Sequence, residues 1–145
     1  MADETSVLVF RIADEVFALP IAHVVEVAAM VALTQLQGTA DAVLGLANRR
    51  GQPLVVVDLR RIIGQNPLEL TPQTLFIVIQ YNGKQIGAAV DAVLQVAHVP
   101  SSTLQAVATS DFVQAVINYQ DDLLKVLAVP TLIEPYAVIE GNGDG

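Results

Sequence analysis

The sequence predicts an all-β fold made of two similar units. Three observations carry this: apolar residues gather in short β-branched runs, turn signals punctuate the runs, and the second half of the chain repeats the first.

"SVLVFRI" (6–12) and "EVFALPI" (15–21) flank the turn signal "ADE" and read as two strands. "PIAHVVEV" (20–27) fits a helical turn or a strand equally well. "QPLVVVDL" (52–59) follows the turn "NRRG" (48–51), where Gly51 is free to take positive φ and Pro53 restricts the next strand. "DLRRIIG" predicts a short helical turn ending at Gly64. "TLFIVIQY" (74–81) and "KQIGAAVDAVLQV" (84–96) enclose Asn82-Gly83, the strongest hairpin signal in the chain, because both residues tolerate positive φ. "LLKVLAV" (123–129) follows the turn "YQDD".

Laid on itself, the chain repeats without a gap. "LVFRIADEVFALPIAHVVEV" (8–27) matches "IVIQYNGKQIGAAVDAVLQV" (77–96), and "VLGLANRRGQPLVVVDLRRII" (43–63) matches "VQAVINYQDDLLKVLAVPTLI" (113–133). Apolar pattern and turn placement repeat more than residue identity does. The reading is two small β units, each with a core too modest to stand alone, that gain from a shared interface.

Composition bounds the function. With 53% hydrophobic and 15% charged residues over 145 positions, the chain supports a packed core. No apolar run approaches the roughly 18–20 residues of a membrane helix, and the acidic start "MADETS" reads as neither a secretory signal nor a transit peptide. The absence of cysteine removes disulfides, thiolate nucleophiles and Cys metal sites together. A net charge of −8 argues against binding a nucleic-acid backbone. The tail "EGNGDG" is expected to fray.

Against that acidic background, four of the seven basic residues (Arg49, Arg50, Arg60 and Arg61) stand within thirteen positions. The repeat serves as an internal control, since a residue needed to build the unit should occur in both copies. Glu26 faces Gln95, Arg50 faces Gln120, Asp58 faces Ala128, Arg60 faces Pro130 and Arg61 faces Thr131. The charges are peculiar to the first unit and point to a task rather than to the scaffold. Exposed ion pairs contribute only about 0–1 kcal/mol, so stability explains the cluster poorly. A polar rim around an apolar partner surface, where arginine is favoured, explains it better.

Catalytic patterns are lacking. His23 and His98 lie in no metal or catalytic motif, and no phosphate-cradling loop, nucleophile elbow or acidic metal run occurs. Asp58 in "VVVDLR" and Asp91 in "AAVDAV" each follow an apolar strand and form the one candidate carboxylate pair, although satisfaction by backbone amides or an arginine is the simpler expectation. The three Tyr and four Phe are spread along the chain and give no aromatic ladder for extended peptides or nucleic acid. No enzyme, cofactor or metal site is expected.

"FRIADEVF", "VVEV", "GLANRRG", "VVVDLR" and "AVDAV", in this order and spacing, resemble the CheW family of chemotaxis coupling proteins over about residues 6–133. The resemblance implies a single CheW-like domain over 1–145: two SH3-like five-stranded β-barrels packed together, with short helical turns. On this reading the first barrel covers about 15–70 and the second 74–134, the N-terminal strand is a candidate for exchange between them, and 136–145 form a flexible tail. It also implies a non-catalytic scaffold, cytoplasmic and at the inner face of membrane-associated receptor arrays, without direct membrane insertion. Its partners would be the regulatory domain of a CheA-type histidine kinase, on the first barrel's outer face, and the cytoplasmic tip of a methyl-accepting chemoreceptor, in the groove between barrels. The alternative is an orphan SH3-like interaction module of a pilus or gliding signalling system. By position Val24, Glu26 and Arg50 match receptor-coupling residues, the Glu and Arg as a pair edging the groove. Val25, Asp58, Arg60 and Val93 are further candidates for the partner surface, with Val24, Val25 and Val93 expected to be open to solvent. Arg49 stands where the family usually has Leu, and Arg49 and Arg61 read as solvated.

Overall fold

The computed structural model describes residues 3–107 and 112–137. Eleven strands are described there: β1 (Glu4–Ile12), β2 (Glu15–Pro20), β3 (Val24–Ala29), β4 (Val43–Arg49), β5 (Gln52–Asp58), β6 (Leu75–Tyr81), β7 (Lys84–Val90), β8 (Ala92–Pro100), β9 (Gln105–Ala106), β10 (Val113–Tyr119) and β11 (Asp122–Leu127). Helix α1 (Leu59–Ile62) follows β5 and helix α2 (Val129–Ala137) follows β11. The ambiguous stretch at 20–27 resolves into both alternatives, a 3-10 turn at Ile21–His23 and then β3.

Two-residue turns join β1 to β2, β4 to β5, β6 to β7 and β10 to β11. Arg50-Gly51, Asn82-Gly83 and Gln120-Asp121 all have positive φ at both positions, the geometry that matches the twist of the flanking strands. The Asn48 side chain closes the first of these by accepting from the Gly51 amide at 3.0 Å.

The strands form two sheets, ordered β3-β6-β7-β5-β4 and β8-β1-β2-β11-β10-β9. Under the repeat these orders are equivalent, down to the parallel pairs β5–β7 and β11–β2. The bulges coincide too, between Val24 and Glu26 in one sheet and between Val93 and Gln95 in the other. The short β9 has its counterpart in the isolated Thr34–Leu46 bridge.

The sheets do not follow the expected boundaries of 15–70 and 74–134. Hairpin β1–β2 joins the sheet of β8–β11, and hairpin β6–β7 joins β3, β4 and β5. The exchange is reciprocal and involves whole hairpins rather than the N-terminal strand alone. We call the β3–β7 sheet the first barrel and the other the second.

Three apolar clusters follow from this. Val7, Val9, Ala18, Ile117, Leu124 and Val126 fill the second barrel, and Ala47, Leu54, Val56, Phe76 and Val78 fill the first. A third cluster, with Phe10, Leu19, Val57, Ile77, Ile86 and Leu127, draws on both sheets and welds them together. Helix α2 completes it: Val129, Leu132 and Ile133 are buried, Tyr136 packs alongside, and the helix lies on β5, β6 and β7 of the opposite barrel. Tyr136 therefore belongs to the fold and not to a loose tail, while the rest of the expected tail (138–145) lies outside the described residues.

Gly45 shows how tightly the first barrel closes. Its φ is +152°, and a Cβ there would sit 2.6 Å from the Thr34 carbonyl oxygen, which accepts from the Leu46 amide at 2.8 Å. Gly45→Ala is expected to cost about 2–3 kcal/mol, measured by urea unfolding, because strain and the lost bridge act together. The equivalent position of the second barrel is Ala115, which pairs with Ala106 on β9.

Candidate functional site

The charged residues of the first barrel separate into two groups with different partners. Asp58 and Arg60 face inward, whereas Glu26, Arg49 and Arg50 meet where β3 approaches the β4–β5 turn.

Asp58 is 1% exposed and caps α1. Its carboxylate accepts from the Arg60 amide at 3.0 Å and the Leu68 amide at 2.8 Å, and its own amide donates to the Ala42 carbonyl at 2.7 Å. It binds backbone amides, as expected of a satisfied carboxylate, and so is no part of a partner surface. Arg60 forks onto Asp91, Nε to Oδ2 at 2.9 Å and Nη2 to Oδ1 at 3.0 Å, with both side chains largely buried. Asp91 also accepts from the Ala13 amide in the β1–β2 turn. It therefore stands where the chain leaves one barrel for the other and breaks "KQIGAAVDAVLQV" into β7 and β8. Arg60 too is withdrawn from the expected partner surface, because its fork of donors is occupied.

Burial works to raise the Asp91 carboxyl, but the Arg60 hydrogen bonds, the Ala13 amide and the charges of Arg60 and Arg11 outweigh it and hold the group below the ordinary 3.8. The same hydrogen bond to Asp91 raises Arg60 further above its usual range, against the opposing effect of burial. Asp58 and Asp91 thus hold structural partners rather than converging on a reacting group, and neither lines any of the four described cavities. His23 Nδ1 lies 3.1 Å from the Gln80 carbonyl, and His98 Nδ1 is 2.6 Å from the Ser6 hydroxyl. Among the described residues, no group of three or more His, Asp or Glu side chains is gathered to hold a metal ion.

The second group is the candidate site. Arg49 donates through Nη2 to Glu26 Oε2 in close contact, and only 17% of its side chain is exposed. Arg50 Nη2 lies 3.6 Å from the other oxygen, Glu26 Oε1, with 76% of its side chain exposed. Glu26 does meet Arg50, but its near partner is Arg49, which was expected to be solvated. The reason is positional: Arg49 is the last residue of β4 and stays on the sheet, whereas Arg50 opens the turn at φ 55°. Arg61 is loosely paired with Asp41 at 3.4 Å.

The second barrel carries a neutral version of this arrangement. Position 49 corresponds to Tyr119, whose hydroxyl is 3.4 Å from Gln95 Nε2 and 3.3 Å from Gln120 Nε2. Gln95 and Gln120 are the equivalents of Glu26 and Arg50. The same three positions therefore meet in each unit, bridged by Glu26 in the first and by Tyr119 in the second, and only the first is charged. Extending the residue-by-residue self-alignment from position 50 to position 49 sets Tyr119 opposite Arg49 and marks that position too as charged in the first unit alone.

Among the valines, Val25 is 40% exposed at the bulge of edge strand β3, with Val27 and Val31 also exposed beyond it. Val24 and Val93 are not open to solvent as expected; they are half-buried and pack on the shared core. A cavity of about 360 Å³ opens on that core between the segment after α1 and the second barrel, lined by Phe17, Ile63, Phe112, Val113 and the Glu15–Lys125 ion pair among others. None of Val24, Val25, Glu26 or Arg50 lines it, so these residues do not edge this between-barrel opening.

Comparison with known proteins now decides the family. The model of the CheW-like domain matches residues 6–135. The chain belongs to the CheW-like family. It is 30% identical over 102 residues to a probable chemotaxis protein CheW of Rhizobium etli, covering 70% of this chain and 66% of that protein, just under two thirds of its length. It is 33% identical over 94 residues to the protein PilI of Pseudomonas aeruginosa, covering 65% of this chain and 53% of the other. In three dimensions it is similar to the crystal structure of the scaffolding protein TtCheW from Thermoanaerobacter tengcongensis, with a TM-score of 0.80 and 26% identity over 88% of this chain and 90% of that one. The expected pair of SH3-like barrels is this fold. Among the described residues, no helix is long and apolar enough to cross a membrane.

Proposed function

We propose that the chain is a non-catalytic adaptor that couples the cytoplasmic tip of a methyl-accepting chemoreceptor to the regulatory domain of a CheA-type histidine kinase, in the cytoplasm at the receptor array. The observation that carries the proposal is the Glu26–Arg49–Arg50 cluster, charged in the first barrel and neutral in the second within a family of coupling proteins. Asp58 and Arg60, which the second copy also lacks, are taken up by packing, whereas Arg50 stays mostly in solvent and open to a partner.

The architecture supports a bridging role. The shared core joins the barrels through residues of both, and the exchanged hairpins carry each repeat into the other barrel, so surfaces on either barrel keep a fixed geometry. Arg50, held beside Glu26, contacts the receptor, and the exposed valines of β3, Val25 first, support a kinase contact on the outer face of the first barrel. A second reading keeps the same adaptor role within a pilus or gliding signalling system, and the similarity to PilI favours it. Affinity capture of the full chain from its own cells, with the bound proteins identified by mass spectrometry, tests both. A CheA-type kinase and receptors are expected together, and the receptors recovered tell the two pathways apart. Recovery of neither class contradicts the proposal.

A further inference from the structure

We propose that Arg49 is a positioning residue: by taking Glu26 for itself it leaves the Arg50 guanidinium to receive a carboxylate from the docking partner. The inference rests on the coupling reading above and adds the chemistry of the contact, an acidic side chain facing the β4–β5 turn.

One carboxylate stands between two guanidinium groups. Glu26 has a single charge to give, and the half-buried Arg49 bonds one of its oxygens while Arg50 stays 3.6 Å from the other and mostly in solvent. Among the described residues the buried Nε atom of Arg49 has no hydrogen-bond partner, so its guanidinium is turned toward Glu26 at the expense of another donor. The cluster carries one excess positive charge within a chain of net charge −8. Arg50 contributes nothing to the turn that a neutral residue would not, since Gln120 takes the same left-handed conformation at the equivalent position. In the neutral copy Tyr119 touches both flanking residues, whereas in the charged copy Arg49 takes one oxygen of Glu26 and leaves Arg50 at 3.6 Å from the other. A fork of donors held at the tip of a rigid hairpin suits a carboxylate.

The test titrates the full-length chain with the purified cytoplasmic hairpin fragment of a methyl-accepting receptor from the same cells, across a series of sodium chloride concentrations. R50Q is expected to weaken binding by about three- to fivefold at low salt, with the difference from the parent chain fading at high salt. R49L is expected to give the same loss, because Arg50 then falls back onto Glu26. R49L combined with E26Q should regain the parent affinity, a recovery that a merely structural role for Arg49 would not produce. If R49L does not fold, R50Q and E26Q carry the test, and E26Q should bind at least as tightly as the parent. The proposal is overturned if R50Q binds like the parent at every salt concentration, if the double variant stays as weak as R49L, or if E26Q binds more weakly. A parent chain that does not bind the fragment at all contradicts the coupling reading instead.

Discussion

Asp58→Ala is expected to lower stability by about 2–4 kcal/mol, seen as a fall in melting temperature of roughly 10 °C. The buried carboxylate is the acceptor for the Arg60 and Leu68 amides, and alanine leaves both without a partner where water reaches poorly. The damage should be local at first. Leu68 packs on the interior of the first barrel, so hydrogen exchange over residues 60–68 should quicken before the strands loosen. Asp58→Asn should fall between the two, since its amide group can accept only one of the two hydrogen bonds. An unchanged melting temperature for the alanine variant would contradict the structural role given to Asp58.

Asp91→Asn is expected to cost about 2–3 kcal/mol near neutral pH, because it removes the charge that Arg60 forks onto. The cost should depend on pH with a definite sign. The Asp91 carboxyl is depressed in the folded chain, so it contributes stability that is fully present above its ordinary 3.8 and is lost as pH falls through the folded value. The stability gap between parent and variant should be constant from neutrality to about pH 5 and should narrow in more acid solution. Denaturant unfolding at a series of pH values measures it, and a gap that widens in acid would contradict the assignment.

Much of this fold could be read in the residues. The repeat predicted equivalent strands and turns in each unit, and "DLRRIIG" a helical turn in the first, because alternating burial and two-residue turns leave a local pattern. The exchange of hairpins left no such trace: β1–β2 and β6–β7 have the same pattern whichever barrel they join, so self-similarity shows which pieces are equivalent but not which copy each pairs with. Val129, Leu132, Ile133 and Tyr136 fall on one helical face in α2, although the run "LLKVLAV" that ends at Val129 has the composition of a strand.

The site was legible in part for a similar reason. The internal control singled out Glu26 and Arg50 as charges that the fold does without. It could not rank Arg49 against Arg50, because which of two adjacent arginines reaches Glu26 depends on where the strand ends and on the left-handed conformation of the turn. Asp58 and Arg60 passed the same control but turned out to be buried in contacts special to the first barrel. Absence from the second copy therefore marks a local requirement, whether for a partner or for packing.

The most direct test of the adaptor role is reconstitution of the bridge itself. Receptor cytoplasmic fragments are displayed on vesicles, and sedimentation of the kinase regulatory domain is followed with and without the full-length chain. The domain is predicted to sediment with the vesicles in proportion to the chain added, and far less when the chain carries Arg50→Glu. Sedimentation that is the same without the chain, or two partners that displace each other from it, would contradict the account.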